Sequence, residues 1–459
     1  MALKNKIKSQ PSPEIDRCEI KSFTSWYQTN GRKPLLLRGA RQVGKTSLVR
    51  MFCKKQKLHL IEVNLELYQE LANSFKQMDP NLVIKDIELF FKTKLTKKSI
   101  LFIDEIQMVP EAIQGLRYFY ERLPHIPVIA AGSLLEFVLS DYHFSMPVGR
   151  IDMFYIGPVK FSDFVKAKKK LNLHKTLQTY KIGNEITTLQ HQTLLDVYLE
   201  FLLVGGMPEV IREYLKSSDL KVAKKIQRSL LDTYRADFGK YARRIPIERI
   251  DRVFRFAGTN IARKVKYSEI NPDEQSKNLL LAIELLEKAG IIYRVFHSSA
   301  SGLPLILNKN EKIFKFLFMD VGLASYFIGL DSNEIRKIYF DPPSDLILLH
   351  KGMISEQFVG QSLLFNEINE KGEIFYWLRD ESTQKAEVDY VIEKGLNIIP
   401  IEVKAGKTDS IRSLIQFAKE KNSKFLVKFG TQKPSVRNIE IEGKIVKVFE
   451  LPLYLSEHL

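Results

Sequence analysis

The chain has 459 residues, 70 Lys+Arg against 54 Asp+Glu, a formal net charge of +16 and a hydrophobic fraction of 45%. That length exceeds what one hydrophobic core serves, so roughly two to four domains are expected, and the composition is ordinary for a globular protein. Cys18 and Cys53 are too few to form a metal cluster by themselves, and no apolar run of about 18 residues or apolar N-terminal segment marks a membrane or secreted protein, so a cytoplasmic location and no membrane partner are expected. The positive charge suits phosphate-rich partners through counterion release, and suits solubility equally well.

In chain order, residues 1–20 are polar and a helix is expected near 20–28. From residue 34 to about 158, short apolar runs at 35–38, 58–63, 99–103, 127–131 and 152–156 alternate with amphipathic segments, the signature of a parallel α/β sheet. Residues 160–245 read as helical, interrupted by Gly205-Gly206-Met207-Pro208. Helices near 248–262 and 273–289 precede apolar runs at 291–296 and 303–307; three helices and a β-hairpin in that order would make a winged helix. From Ile354 the pattern returns to α/β, with a helix near 355–369 and strands near 373–378, 386–393 and 398–403.

The first run is followed by Gly39-Ala40-Arg41-Gln42-Val43-Gly44-Lys45-Thr46-Ser47, which fits G-x-x-x-x-G-K-[ST] between a strand and a periodic helix. Glycines let backbone N–H groups turn inward around phosphates, and the helix N-terminus adds its positive end. Lys45 would reach the β- and γ-phosphates of ATP and Thr46 would hold Mg²⁺. The apolar run 99–103 ends in Asp104-Glu105, an acid for the Mg²⁺ shell followed by one that polarises the attacking water, which argues for a hydrolase over a small-molecule kinase. Ser133, after the fourth run, is a candidate γ-phosphate sensor, and Arg150 a candidate transition-state arginine acting in cis or from a neighbouring subunit.

The stretches LLLRGARQVGKTSLVR, LFIDEIQ, AAGSLLEF, PVGRI and LLVGGMPEV resemble a group of uncharacterised bacterial and archaeal AAA+-type ATPases with a restriction-endonuclease-like C-terminal domain of unknown function. The resemblance implies an ATPase core over 1–158, a helical segment over 159–245, a winged-helix-like domain over 246–345 and a nuclease-like domain over 346–459. It also implies nucleotide contacts from the loop and Ser133, and from Pro208 by similarity to a Gly-x-Pro element of signalling ATPases.

Residues 386–404, AEVDYVIEKGLNIIPIEVK, read as a hairpin turning at Lys394-Gly395. Residues i and i+2 share a strand face, so Glu387 points with Asp389 and Glu402 with Lys404. Two carboxylates to hold Mg²⁺ and a lysine to orient water are what metal-dependent phosphodiester cleavage needs. The set resembles that of the PD-(D/E)xK nucleases, with Asp389 and Glu402 as metal ligands, Lys404 as the motif lysine and Glu356 as the extra helical acid. The first motif departs from the pattern, reading Glu387-Val388-Asp389 without its proline.

Between Arg235 and Lys266 the basic residues Arg235, Lys240, Arg243, Arg244, Arg249, Arg252, Arg255, Arg263, Lys264 and Lys266 face only Asp237, Glu248 and Asp251, a run suited to phosphate contacts. The helix that would read bases is mostly apolar and fits packing better. The reading is an ATP-hydrolysing switch that controls attached winged-helix and nuclease-like domains acting on nucleic acid. Its alternatives are an ATP-dependent, Mg²⁺-requiring nuclease and a non-cleaving scaffold that assembles on a protein partner; the oligomeric state stays open.

Overall fold

The structure, a computed structural model, describes residues 14–133, 135–139, 149–241, 245–330, 345–379, 386–404 and 410–459, and within these the side chains of 345–350 are not described. Pro147-Val148 of the fourth motif, together with Arg243 and Arg244, lie outside the described residues.

The expected alternating segment forms five strands, β1 Leu35–Arg38, β2 His59–Asn64, β3 Ser99–Asp104, β4 Val128–Ala131 and β5 Asp152–Tyr155. They pair in the order β2-β3-β4-β1-β5, every pair parallel. A parallel sheet covered on both faces needs apolar residues at every position, because successive side chains alternate between faces. Leu35, Leu37, Ile100 and Phe102 enter one core, while Leu36, Leu101 and Ile103 enter a second core on the opposite face. Since all five strands run the same way, the residues following β1, β3 and β4 emerge at one edge of the sheet, where ligands of open α/β sheets bind.

A helical middle follows, from Phe161–Ala167 to Leu220–Tyr241, with Gly205-Gly206 separating the helices Thr188–Val204 and Pro208–Ser217. The capping box at Thr187 and Gln190 starts the first of these helices, and Pro208 occupies the first turn of the second, where its missing N–H costs nothing. Three helices, Ile247–Thr259, Tyr267–Ile270 and Ser276–Lys288, then lead into β7 Ile292–Ser298, with the short β6 Lys264–Val265 between the first two.

The second arm of the hairpin is not the expected run 303–307. Residues Leu305–Asn308 form a 3₁₀ turn after Pro304, and the arm is β8, Lys309–Phe318. Its first half, Lys309-Asn310-Glu311-Lys312, is polar and reads as a loop, whereas in the sheet it is the solvent-facing end of a strand whose last five residues are buried.

The remaining strands are β9 Phe375–Leu378, β10 Glu387–Lys394, β11 Asn397–Val403, β12 Phe425–Gly430, β13 Ser435–Ile441 and β14 Lys444–Pro452. With the earlier hairpin they form one mixed sheet of nine strands, ordered β13-β14-β12-β11-β10-β9-β7-β8-β6. The joint is a parallel pairing of β7 with β9, Phe296 beside Phe375 and His297 beside Tyr376. The long helix Asp345–Leu364 packs on β8 and β11, so side chains from both halves of this sheet meet beneath it.

Candidate functional site: a phosphate loop and a buried carboxylate cluster

Residues 39–46 wrap from the end of β1 into the helix Lys45–Gln56. Gly39 has φ +126° and any Cβ there would lie 2.1 Å from the Ile156 carbonyl oxygen; Gly44 has φ +92° and faces Pro208. Both positions therefore require glycine. Gln42 also adopts a left-handed conformation, at φ 64°. The Lys45 ammonium donates to the Gly39 and Ala40 carbonyls at 2.8 Å each, folded back over the loop. Burial lowers its pKa to about 8, although Glu105 and Asp104 favour the charged form.

Parallel pairing sets Asp104 and Glu105 beside this loop. The Thr46 hydroxyl donates to Asp104 Oδ2 at 2.8 Å. Burial raises the Asp104 pKa, so this carboxylate is short of a neutralising cation, and with the Thr46 hydroxyl it offers the oxygen donors that Mg²⁺ takes. Glu105 is held at φ 50°, a sparsely populated backbone region for a non-glycine residue. Its Oε2 accepts from Ser133 Oγ at 3.1 Å and from Gln107 Nε2 at 2.5 Å. Arg150 is not drawn into this group: it pairs with Glu121 at 3.1 Å, half exposed, and lies over the Tyr120 ring.

Segments far off in sequence close around the loop. Arg17 donates to the Val43 carbonyl at 2.8 Å and the Gly157 carbonyl at 2.9 Å. Tyr234 Oη donates to the Arg41 carbonyl at 3.0 Å, and the Arg41 side chain pairs with Asp237. The Gly205-Gly206 break is pinned by Asp320, whose carboxylate accepts from Gly206 N at 2.6 Å and Leu323 N at 3.0 Å, and this seats Pro208 beside Gly44. Beside the loop opens a cavity of about 330 Å³ lined by Arg17, Gly44, Ser47, Leu48, Pro208 and Arg212. That volume is at the small end of the roughly 300–1,000 Å³ of small-molecule pockets.

The C-terminal candidates gather elsewhere, under the helix Asp345–Leu364. Asp389 Oδ2 accepts from Val403 N at 2.7 Å, Glu402 pairs with Lys404, and Glu402 Oε2 is buried without a hydrogen-bond partner among the described residues. The residue that sequence reasoning missed is Lys315 of β8. Its ammonium lies 2.6 Å from Glu387, 3.4 Å from Glu356 and 3.8 Å from Asp389. Among the described residues one trio brings three metal-type donors within 4.8 Å of one another, Cys18, Glu19 and Asp163; the C-terminal carboxylates do not. In that trio Glu19 is paired with Arg17, and Asp163 accepts from Cys18 N at 2.9 Å.

A family model described as "AAA domain" matches residues 31–165, the segment that carries the loop, Asp104, Glu105 and Ser133. Residues 31–165 are thus similar to AAA-type ATPase domains. Two further models, both described as domains of unknown function (DUF8612 and DUF4143), match residues 195–334 and 351–454. No curated protein matches the chain. Among solved structures, the Walker-type ATPase PABY2304 of Pyrococcus abyssi is similar over 69% of this chain and 98% of its own, at 19% identity and a TM-score of 0.44. The Thermotoga maritima RuvB Holliday junction branch migration motor aligns over 61% of this chain and 90% of its own, at 14% identity and a TM-score of 0.29. The Aeropyrum pernix ORC1 protein in complex with DNA aligns over 67% and 91%, at 12% identity and a TM-score of 0.28.

The contacts around the phosphate loop include residues to which the sequence reading gave no role there. Gln107 closes the stretch LFIDEIQ, but the sequence reading gave it no role. Arg17, Tyr234 and Asp237 reach the loop only through tertiary packing. Lys315 carried one signal, a lone cation inside the apolar run Ile313-Phe314-Lys315-Phe316-Leu317-Phe318.

Proposed function

We propose that the chain is an ATP-hydrolysing switch in which nucleotide at residues 39–46 sets the posture of the helical middle, and through it that of a winged-helix segment and a C-terminal domain acting on nucleic acid. The observation that carries this reading is the direct seating of the helical middle on the phosphate loop, Pro208 on Gly44 and Tyr234 on Arg41. Lys45 would leave the Gly39 and Ala40 carbonyls to meet the β- and γ-phosphates. Bound Mg²⁺, held by Thr46 and Asp104, would neutralise phosphate charge. Glu105, oriented by Ser133 and Gln107, would polarise the attacking water, and the cavity beside Ser47 and Pro208 would take the base and ribose. A loop whose geometry answers to the γ-phosphate would pass that change to the helices it touches.

Two substitutions test the site. Lys45→Ala should abolish ATP turnover in folded protein, and turnover that survives it rules this loop out as the hydrolytic site. Glu105→Gln should retain ATP binding while turnover falls by about 100-fold or more.

A second reading, a non-cleaving scaffold that uses ATP to assemble on a protein partner, is favoured by one observation. Much of the arginine-rich stretch is spent internally: Arg235 pairs with Asp251 at 2.8 Å, Arg255 with Asp251 at 2.7 Å, and Arg249 with Glu274.

A further inference from the structure

The buried cluster beneath the helix Asp345–Leu364 holds more negative charge than an ordinary ion pair. Glu356 comes from that helix, Glu387 and Asp389 from β10, and Glu402 from β11. Asp389 and Glu402 are buried, and Glu402 Oε2 has no hydrogen-bond partner among the described residues. Such a site needs a cation, and in phosphodiester-cleaving sites of this composition the cation is a divalent metal.

Here the chain supplies one of its own. Lys315 projects from β8 with its side chain 3% exposed, touching three of the four carboxylates and facing the Tyr376 ring 5.1 Å away. Lys404 adds a second positive charge on Glu402. A lysine ammonium at 2.6–3.8 Å from these oxygens and a divalent cation coordinated by the same oxygens exclude each other, by space and by repulsion. The spacing agrees: these carboxylates surround an ammonium, and among the described residues they do not bring three donor atoms within 4.8 Å of one another.

We infer that Lys315 is the resident cation of this site, occupying the place of a divalent metal, so that the C-terminal carboxylate cluster takes up no Mg²⁺ or Mn²⁺ while Lys315 is in position. Lys315 belongs to the segment matched by one domain model and the carboxylates to the segment matched by another, and the β7–β9 pairing brings them together. The inference goes beyond the ATPase reading and does not depend on it.

Mn²⁺ uptake by the full-length chain without nucleotide, followed by the electron paramagnetic resonance of free Mn²⁺, provides the test. Wild type and Asp389→Asn should take up the same amount. Lys315→Met, which keeps the stem and removes the charge, should take up one further Mn²⁺ per chain, lost again when Asp389→Asn is added. An Asp389-dependent Mn²⁺ site in wild type overturns the inference, and so does a folded Lys315→Met protein that gains none. The comparison of wild type with Asp389→Asn needs no variant at 315, so it stands even where Lys315→Met fails to fold. Neither result bears on turnover at Lys45, so failure here and failure of the ATPase reading are separable.

Discussion

Lys45 combines two demands that conflict. It must be buried to meet phosphates in a water-poor site, and burial pulls its pKa to about 8. The ammonium is the form that attracts phosphate, so it predominates below about pH 8 and is lost as pH rises through that value. ATP affinity should therefore be level from pH 6.5 to about 7.5 and then fall by up to about tenfold per pH unit, until the raised pKa of the phosphate-bound lysine is reached. Equilibrium fluorescence titration with an ATP analogue across this range measures it. Lys45→Arg, which cannot deprotonate here, should show a flat profile whatever its absolute affinity. A wild-type profile as flat as that of the arginine variant would mean that Lys45 does not carry the phosphate charge.

At the scale of elements, one acid ties three of them together. Asp320 ends the approach of β8, caps the helix Val321–Phe327 through Leu323 N, and holds Gly206 N in the break before the helix Pro208–Ser217. It is fully buried, and burial raises its pKa to about 6. A carboxyl whose folded pKa exceeds its unfolded value stabilises the fold fully below the unfolded pKa, and that contribution is lost as pH rises through about 6. Between pH 4 and 7, wild type should thus lose stability relative to Asp320→Asn by about 2–3 kcal/mol, read from urea unfolding of both proteins at each pH. Asp320→Ala should be worse than either at every pH, since it leaves two buried N–H groups unmet at about 1–3 kcal/mol each. Because Asp320 seats Pro208, the alanine variant should also bind ATP more weakly.

For the whole molecule, the net charge of +16 bears on partners only through the cations left at the surface. Arg252, Arg263, Lys264 and Lys266 are exposed. Should these four each meet a phosphate, double-stranded DNA binding would weaken with salt with a log–log slope of about −3 to −4. Fluorescence anisotropy between 50 and 200 mM salt, on the order of the range over which such contacts are lost, measures this slope. A flat dependence would favour the protein-interaction reading. Among the described residues no helix is long and apolar enough to cross a membrane.

What the sequence by itself determined is local. The five parallel strands follow from apolar runs bounded by turn residues, and the loop at residues 39–46 follows from glycines that backbone conformation demands. The placement of Asp104, Glu105 and Ser133 was legible because they lie at or just beyond the ends of buried strands, and parallel strands present their ends at one edge. The hairpin arm β8 was misplaced because its polar first half mimics a loop. Tertiary structure alone decided which distant residues close on the loop, Arg17, Tyr234 and Asp237 among them, since nothing in their own neighbourhoods encodes the approach. It also decided the fate of the C-terminal acids. Their spacing announced a charged face, but only the pairing of β7 with β9 brings Lys315 among them. Electrostatic neutralisation depends on distance in space, and no spacing along the chain expresses that distance.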